Sequence, residues 1–357
     1  MKIVVDINHP SHVHFFKNFI WEMEKKGHET IILVSAKDVC LSLLSAYGFP
    51  HLDLGPYGTS LLKKLAGVPE KNLKAYQFLK PLAPDIFLGL GSIRAAHVSW
   101  LMGKPSIIFD DDEYTYPFYR WFTGTVCAFS GFKLSGEKII KVPGYKELAY
   151  LHPHRFQTAS NSNPEDPGVL LRFVSWTAFH DLGKQGFSLN LKEKLVKELE
   201  KHARVYISSE SPLPHRLEKY RVRIHPEDMH RFLSRVNLLV CDSQTMATEA
   251  AVLGVPAVRC NSFVGKNDMG NFRELEERYK LIFNYSTPEA AVAKSVELIK
   301  TPGLKAAWED KRRRLLRGKI DVTAFMVWLV ENYPDSVNEI RRERHFGEWI
   351  VPAPNLS

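Results

Sequence analysis

A chain of 357 residues exceeds what one ordinary hydrophobic core organises and fits two domains. Its apolar fraction of 45% and charged fraction of 25% are those of a folded globular protein, and no window approaches the roughly 18 uninterrupted apolar residues of a membrane span. The net charge of +8 is compatible with anionic partners. Its late clusters, however (Lys311 to Arg314 with Arg317 and Lys319, then Arg341, Arg342 and Arg344), alternate with acidic and not aromatic residues, which argues for solvated helix faces and against a nucleic-acid surface.

In chain order, Lys2–Ile7 reads as a strand, His14–Lys26 as an amphipathic helix stopped by Gly27, and Glu29–Val34 as a second strand. Because the strand pattern starts at once, no signal-peptide pattern is visible and a cytoplasmic location is expected. A helix over Asp38–Tyr47 ends at Gly48. Ile86–Leu90 and Ser106–Phe109 are continuous apolar runs, the pattern of strands buried on both faces of a parallel sheet, and Ile93–Met102 between them reads as the crossover helix. The polar, proline-containing segment Gln157–Pro167 is the best linker candidate.

The alternation then resumes. Strands are expected at Val169–Val174, Arg204–Ser208, Leu238–Cys241 and Ala257–Cys260, and helices at Asn190–His202, Glu227–Arg235 and Thr245–Leu253. After Pro302 the pattern is helical, over Leu304–Arg317 and Val322–Glu331. This predicts an α/β protein with two doubly wound parallel-sheet domains, 1–160 and 161–319, and a helical tail, 320–357, packed across the hinge or back on the first domain. Ligands of such sheets bind beyond the carboxyl ends of the strands, so a cleft between the domains is expected to hold the chemistry. The four cysteines are scattered without a C-x-x-C pair, and neither disulfide nor zinc is expected.

The most informative stretch runs from Leu238 to Pro256. An apolar strand ends in Asp242-Ser243-Gln244-Thr245, and a helix follows with Glu249 in its second turn. Small hydroxylated residues at a helix N-terminus let a phosphate approach the first N–H groups, and a carboxylate one turn later can accept two ribose hydroxyls. The pattern suits a nucleotide diphosphate. Arg172 lies inside an apolar strand and needs a partner, either a diphosphate or a neighbouring carboxylate. Two further loops follow strands. Asn8 to His14 carries three histidines, and Asp110 to Glu113 is the densest acidic cluster, where mutual repulsion raises at least one pKa. Each has a plain structural alternative, a helix cap at Ser11 and a solvated acidic first turn. Metal binding at either is a minority reading. Gly89-Leu90-Gly91-Ser92 permits close backbone approach at a third turn.

In these residues the chain resembles the GT-B superfamily of nucleotide-sugar glycosyltransferases and UDP-N-acetylglucosamine 2-epimerases. It is most similar to an uncharacterised archaeal and bacterial GT-B-like family and to the N-acetylglucosaminyltransferase of lipid II synthesis. Asp85 to Gly91 with Gly103-Lys104-Pro105 is similar to the acceptor-domain core. Asp242-Ser243 with Glu249 is similar to the epimerase element in which serine and glycines contact phosphate and a glutamate binds ribose, although Gln244, Thr245 and Thr248 depart from it. Ser11-His12 matches the end of a transferase turn.

The resemblance implies a GT-B fold with two Rossmann-like domains facing a central cleft. It implies a hexosyltransferase moving a sugar from a nucleotide diphosphate donor, UDP favoured, to an unidentified glycan or lipid-linked acceptor. His12, Asp111 and Glu113 are the candidate acid–base groups. Arg172, Ser175, His225, Ser243, Gln244, Thr245 and Glu249 are candidate donor contacts, and Ser11, Gly91, Ser92 and Asp110 candidate acceptor-side residues. His180, Asp181, Lys266, Asn267 and Asn271 are further loop candidates. The nucleotide sugar enters as substrate, with neither resident cofactor nor metal expected. Nucleic acid is not expected as a partner, and a peripheral membrane contact is left open. A 2-epimerase and a non-catalytic nucleotide-sugar-binding protein are the alternatives.

Overall fold

The computed structural model describes residues 1–35, 38–55, 61–157, 168–175, 187–265 and 268–343. Strand β1 (Lys2–Ile7) buries Ile3 through Ile7 completely, as an apolar run between two helical layers must. It pairs in parallel with β2 (Glu29–Val34) on one side and β4 (Ile86–Leu90) on the other, so that Val4 stands opposite both Ile31 and Phe87. With β3 (His51–Asp53), β5 (Ser106–Asp110), β6 (Thr125–Ala128) and β7 (Ile139–Lys141) these make a seven-stranded parallel sheet in the order β3-β2-β1-β4-β5-β6-β7. One face packs Val4, Phe87 and Ile108 on Ala95, Ala96 and Val98 of helix Ile93–Leu101. The other meets helix Pro10–Lys25, whose Phe15 ring lies 5.5 Å from Phe109 and 5.8 Å from Phe129.

A second parallel sheet holds β8 (Gly168–Phe173), β9 (Arg204–Ser209), β10 (Leu238–Cys241), β11 (Ala257–Cys260) and β12 (Ile282–Tyr285) in the order β12-β11-β10-β8-β9. Two doubly wound α/β units are therefore present. In each, strand order reverses once beside the first strand, between β1 and β4 in one sheet and between β8 and β10 in the other. The chain divides into a first unit, Met1–Arg155 joined again from Lys319, and a second unit from Phe156 to Gly318. The late helix Val322–Glu331 belongs to the first unit, where it buries Phe325, Met326, Leu329 and Val330. Thr323 Oγ1 donates to the Ala149 carbonyl at 2.7 Å, and the Ile320 N–H donates to the Pro143 carbonyl at 3.1 Å.

Boundaries shift modestly from the sequence reading. The first helix begins at Pro10, four residues early, because proline suits a first turn that lacks N–H acceptors. Glu227–Arg235 is a short 3-10 turn, Pro226–Asp228, followed by helix Met229–Leu233. The proposed linker lies outside the described residues apart from Gln157. Burial pushes the thiols of Cys127, Cys241 and Cys260 upward, which makes them small apolar side chains at neutral pH. Among the described residues no helix is long and apolar enough to cross a membrane.

Candidate functional site

In the first unit the ends of β1, β2 and β4 meet at the strand-order reversal, and a buried ion pair ties them together. Arg94 Nε donates to Asp6 Oδ1 at 2.6 Å, Nη1 to Ser35 Oγ at 2.5 Å, and Nη2 to Asn8 Oδ1 at 3.1 Å. Asn8 Nδ2 returns to Asp6 Oδ2 at 2.8 Å, and Ser92 Oγ donates to the same oxygen. Asp6 and Arg94 are both fully buried. Ser92 also accepts the Ala95 N–H at 3.0 Å and so caps helix Ile93–Leu101. Ser92, a candidate acceptor-side residue from sequence, is buried and bonded to Asp6 in this way. The Gly89 backbone lies so close that an added Cβ would overlap Ser92 Cβ, and Gly91 has φ +52°. These glycines serve a close approach within the chain itself.

On this base stands the histidine loop. His9, and not Ser11, caps helix Pro10–Lys25, its Nδ1 accepting the Ser11 N–H at 3.2 Å and pairing with Ser11 Oγ at 2.8 Å. His12 Nδ1 accepts the Asn8 N–H at 3.4 Å. Desolvation, then the charges of His9 and Lys146, hold the His12 imidazole well below the usual histidine range, so it is neutral at pH 7. A neutral imidazole can accept a proton.

The acidic cluster divides into distinct roles. Asp110 is buried and collects donors: the Tyr119 hydroxyl at 2.6 Å, Thr115 Oγ1 at 3.2 Å, and the N–H groups of Asp111 and Asp112 at 2.9 and 3.2 Å. Burial first, then the Asp112 charge, raises its carboxyl well above the ordinary range despite the Tyr119 bond. Asp110 thus organises its turn from inside. Asp111 pairs with Lys146, a residue the sequence reading missed, on the loop after β7. Both are largely buried. Burial alone would lower Lys146, but Asp111 and Glu147 outweigh it and raise it. Asp111, a candidate base from sequence, is therefore held in an ion pair with an ammonium. Glu113 accepts the backbone N–H of Lys133.

In the second unit helix Gln244–Leu253 opens at the carboxyl end of β10, beside the strand-order reversal. Ser243 is its cap, Oγ accepting the Met246 N–H at 3.3 Å, and Gln244 and Thr245 are half-buried in its first turn. Asp242 Oδ1 accepts the Val174 N–H at 2.9 Å, and the Asp242 carbonyl accepts Asn261 Nδ2 at 3.0 Å, tying three strand ends together. Glu249 is 4% exposed, and its Oε1 meets His230 Nε2 at 2.9 Å. It is no surface glutamate. His230 was not singled out from sequence.

Arg172 donates Nη1 to Ser208 Oγ at 2.7 Å and Nη2 to Glu210 Oε1 at 2.6 Å, while Glu210 Oε2 accepts both the N–H and the hydroxyl of Ser175 at 3.0 Å. The carboxylate alternative for Arg172 is thus realised, although its buried Nε has no hydrogen-bond partner among the described residues. Glu210 is a third residue that sequence reasoning missed. His225 is exposed at the start of the 3-10 turn. Asn271 is buried and bonds the Phe272 N–H at 2.9 Å. His180, Asp181, Lys266 and Asn267 lie outside the described residues.

Among the described residues two side-chain groups bring possible metal-ligand atoms within 4.8 Å of one another, Asp110 with Asp111 and Asp112, and His152 with His154 and Asp321. In each a carboxylate already holds a cation, Lys146 on Asp111 and Arg155 on Asp321, which works against a second positive charge.

The family described as a protein of unknown function (DUF354) matches residues 1–119, a third of the chain. An uncharacterised protein from Methanocaldococcus jannaschii is 21% identical over 283 residues, covering 73% of this chain and 82% of its own length. Among solved structures, the UDP-GlcNAc 2-epimerase from Neisseria meningitidis bound to UDP-GlcNAc superposes with a TM-score of 0.66 at 15% identity, covering 93% of this chain and all of that one. The glycosyltransferase VinC in complex with DTDP gives 0.61 at 14% identity, covering 96% and 100%. The fold is GT-B. Its structural neighbours are GT-B glycosyltransferases and UDP-GlcNAc 2-epimerases.

Proposed function

We propose that this chain is a glycosyltransferase that moves a sugar from a nucleotide diphosphate, UDP favoured, to an acceptor held by the first unit. The observation that carries the reading is helix Gln244–Leu253. It starts at a sheet's strand-order reversal, offers the first-turn N–H groups of a capped helix, and holds a buried carboxylate, Glu249, one turn later. The amino end stabilises negative charge on a departing diphosphate, the main electrostatic demand of transfer. Glu249 binds the ribose, with His230 setting its rotamer. Neutral His12 takes the acceptor proton, and the Asp111–Lys146 pair holds its surroundings at near-zero net charge.

A second reading, a UDP-N-acetylglucosamine 2-epimerase, is favoured by the slightly higher superposition scores of the epimerases, 0.65 and 0.66 against 0.58 to 0.61 for the transferases. Proton NMR of UDP-N-acetylglucosamine in D2O with the protein separates the two. Deuterium at C2 without an acceptor supports the epimerase and ends the transferase proposal. Titration with UDP then tests the shared premise: Glu249→Ala abolishes binding, whereas His12→Ala leaves binding intact and removes turnover. Binding of UDP unaffected by Glu249→Ala overturns the site assignment, and intact binding without any turnover leaves a nucleotide-sugar-binding protein.

A further inference from the structure

Arg172, near the carboxyl end of β8, stands in register with Cys241 of β10, and the second sheet reverses its strand order between these two strands. Val174, two residues on, donates its N–H to Asp242 Oδ1 at 2.9 Å, and Asp242 directly precedes the Ser243 cap of helix Gln244–Leu253. Arg172 and Ser175 therefore border the amino end of that helix. Their donors converge on one carboxylate. Glu210 Oε1 accepts Arg172 Nη2 at 2.6 Å, and Oε2 accepts the Ser175 N–H and hydroxyl, each at 3.0 Å. A guanidinium edge, a backbone N–H and a hydroxyl suit phosphate oxygens as well as they suit a carboxylate. Ser208 Oγ accepts Arg172 Nη1 at 2.7 Å and steadies the guanidinium from the other side. The buried Nε is one more donor, unused among the described residues.

Glu210 differs from Arg172 in burial, its side chain being 37% exposed against 20% for the arginine. It follows β9, where the Ser209 hydroxyl donates to the Ser211 carbonyl at 2.8 Å and accepts the Ser211 N–H at 3.3 Å. The Glu210 N–H donates to the Phe173 carbonyl at 3.1 Å, so its backbone is fixed and only the carboxylate has to turn away. A carboxylate this exposed regains water when it turns, and its release costs little. A phosphate brings more charge and more oxygens to the same donors. An arginine set in an apolar strand, for its part, needs a counter-ion whenever no ligand is bound. Glu210 supplies one.

We infer that Glu210 is an internal placeholder: in the unliganded chain it fills a phosphate subsite made by Arg172 and Ser175, and a ligand phosphate displaces it. The inference takes the identity of that ligand, a nucleotide diphosphate, from the function proposed above. Glu210 then tunes affinity by competition while it keeps the guanidinium aimed at the subsite.

Calorimetric titration of the full chain with UDP and with inorganic pyrophosphate tests it. Glu210→Gln, which keeps the shape and removes the charge, is expected to tighten both ligands roughly threefold, the range of a partly exposed ion pair. Arg172→Met is expected to weaken both by about tenfold or more. In the Arg172→Met background the gain from Glu210→Gln is expected to vanish, because the two side chains act as a pair. If Arg172→Met fails to fold, salt decides: a direct contact keeps its gain at about 1 M sodium chloride, where the screening length is about 3 Å. A gain that persists without Arg172, or that salt removes, is a long-range charge effect and overturns the inference. Weaker binding in Glu210→Gln also overturns it, since Glu210 would then support the arginine and not compete with the ligand. UDP binding that requires Glu249 but ignores Glu210→Gln overturns the placeholder and leaves the nucleotide reading standing. Pyrophosphate tightened by Glu210→Gln, with UDP unbound, supports the placeholder and removes that reading. Binding of neither ligand overturns both.

Discussion

Asp6 and Arg94 form a buried ion pair at the base of the first-unit turns, and removing one partner strands a charge in the interior. Arg94→Met is therefore expected to cost about 3–5 kcal/mol, read as a lowered urea midpoint, and adding Asp6→Asn should return part of it. Asp110 makes a pH-dependent prediction. Its carboxyl is raised in the folded chain, so from about pH 3.9 upward the unfolded chain gives up a proton that the folded one keeps. Stability falls with rising pH across that window, and Asp110→Asn should flatten this part of a denaturation-against-pH curve. His12, being lowered, has the opposite sign: folding loses stability as pH falls below about 6.5, where the unfolded imidazole charges first. At this scale the sequence was only half legible. Glu249, His12 and the acidic cluster stand in local patterns, but their partners do not. Lys146 is 35 residues from Asp111, and His230 is 19 from Glu249. Only the folded sheet brings such charges together, and no spacing rule anticipates it. The burial of Ser92 and Asp110 was hidden for a related reason, since a polar side chain at a strand end can turn inward as readily as outward.

Helix Gln244–Leu253 depends on a single side-chain cap. Ser243→Ala should destabilise the second unit by about 1 kcal/mol, and if a diphosphate sits at this end, nucleotide affinity should fall by more than that stability loss explains. Calorimetric titration beside thermal melting separates the two effects. Elements of this kind were the best read from sequence. Long apolar runs bounded by glycine and proline gave β4, β5, β8, β10 and β11 nearly to the residue, because parallel strands buried on both faces tolerate little else. Strands β3, β6, β7 and β12 escaped, being three or four residues long with no continuous apolar run to mark them. Helix Leu61–Leu79 escaped because Gly67 and Pro69 inside it mimic a loop.

At the scale of the whole chain, two doubly wound parallel units were legible from the alternation of strand and helix alone. If the second unit binds UDP, the nucleotide at a hundred times its dissociation constant should stabilise the protein by about 2.7 kcal/mol, and Glu249→Ala should lose that gain. Differential scanning calorimetry reads it directly.

The return of Lys319 and helix Val322–Glu331 to the first unit has a consequence for how the protein is made. Among the described residues the second unit is continuous along the chain, whereas the first lacks an apolar wall until helix Val322–Glu331 is synthesised. At about 5–20 residues per second, the segment up to Arg155 must wait on the order of ten seconds or more for the helix that covers it. A ribosome stalled just as Gly318 clears its exit tunnel should therefore display a finished second half and an earlier half still open to chaperones and proteases.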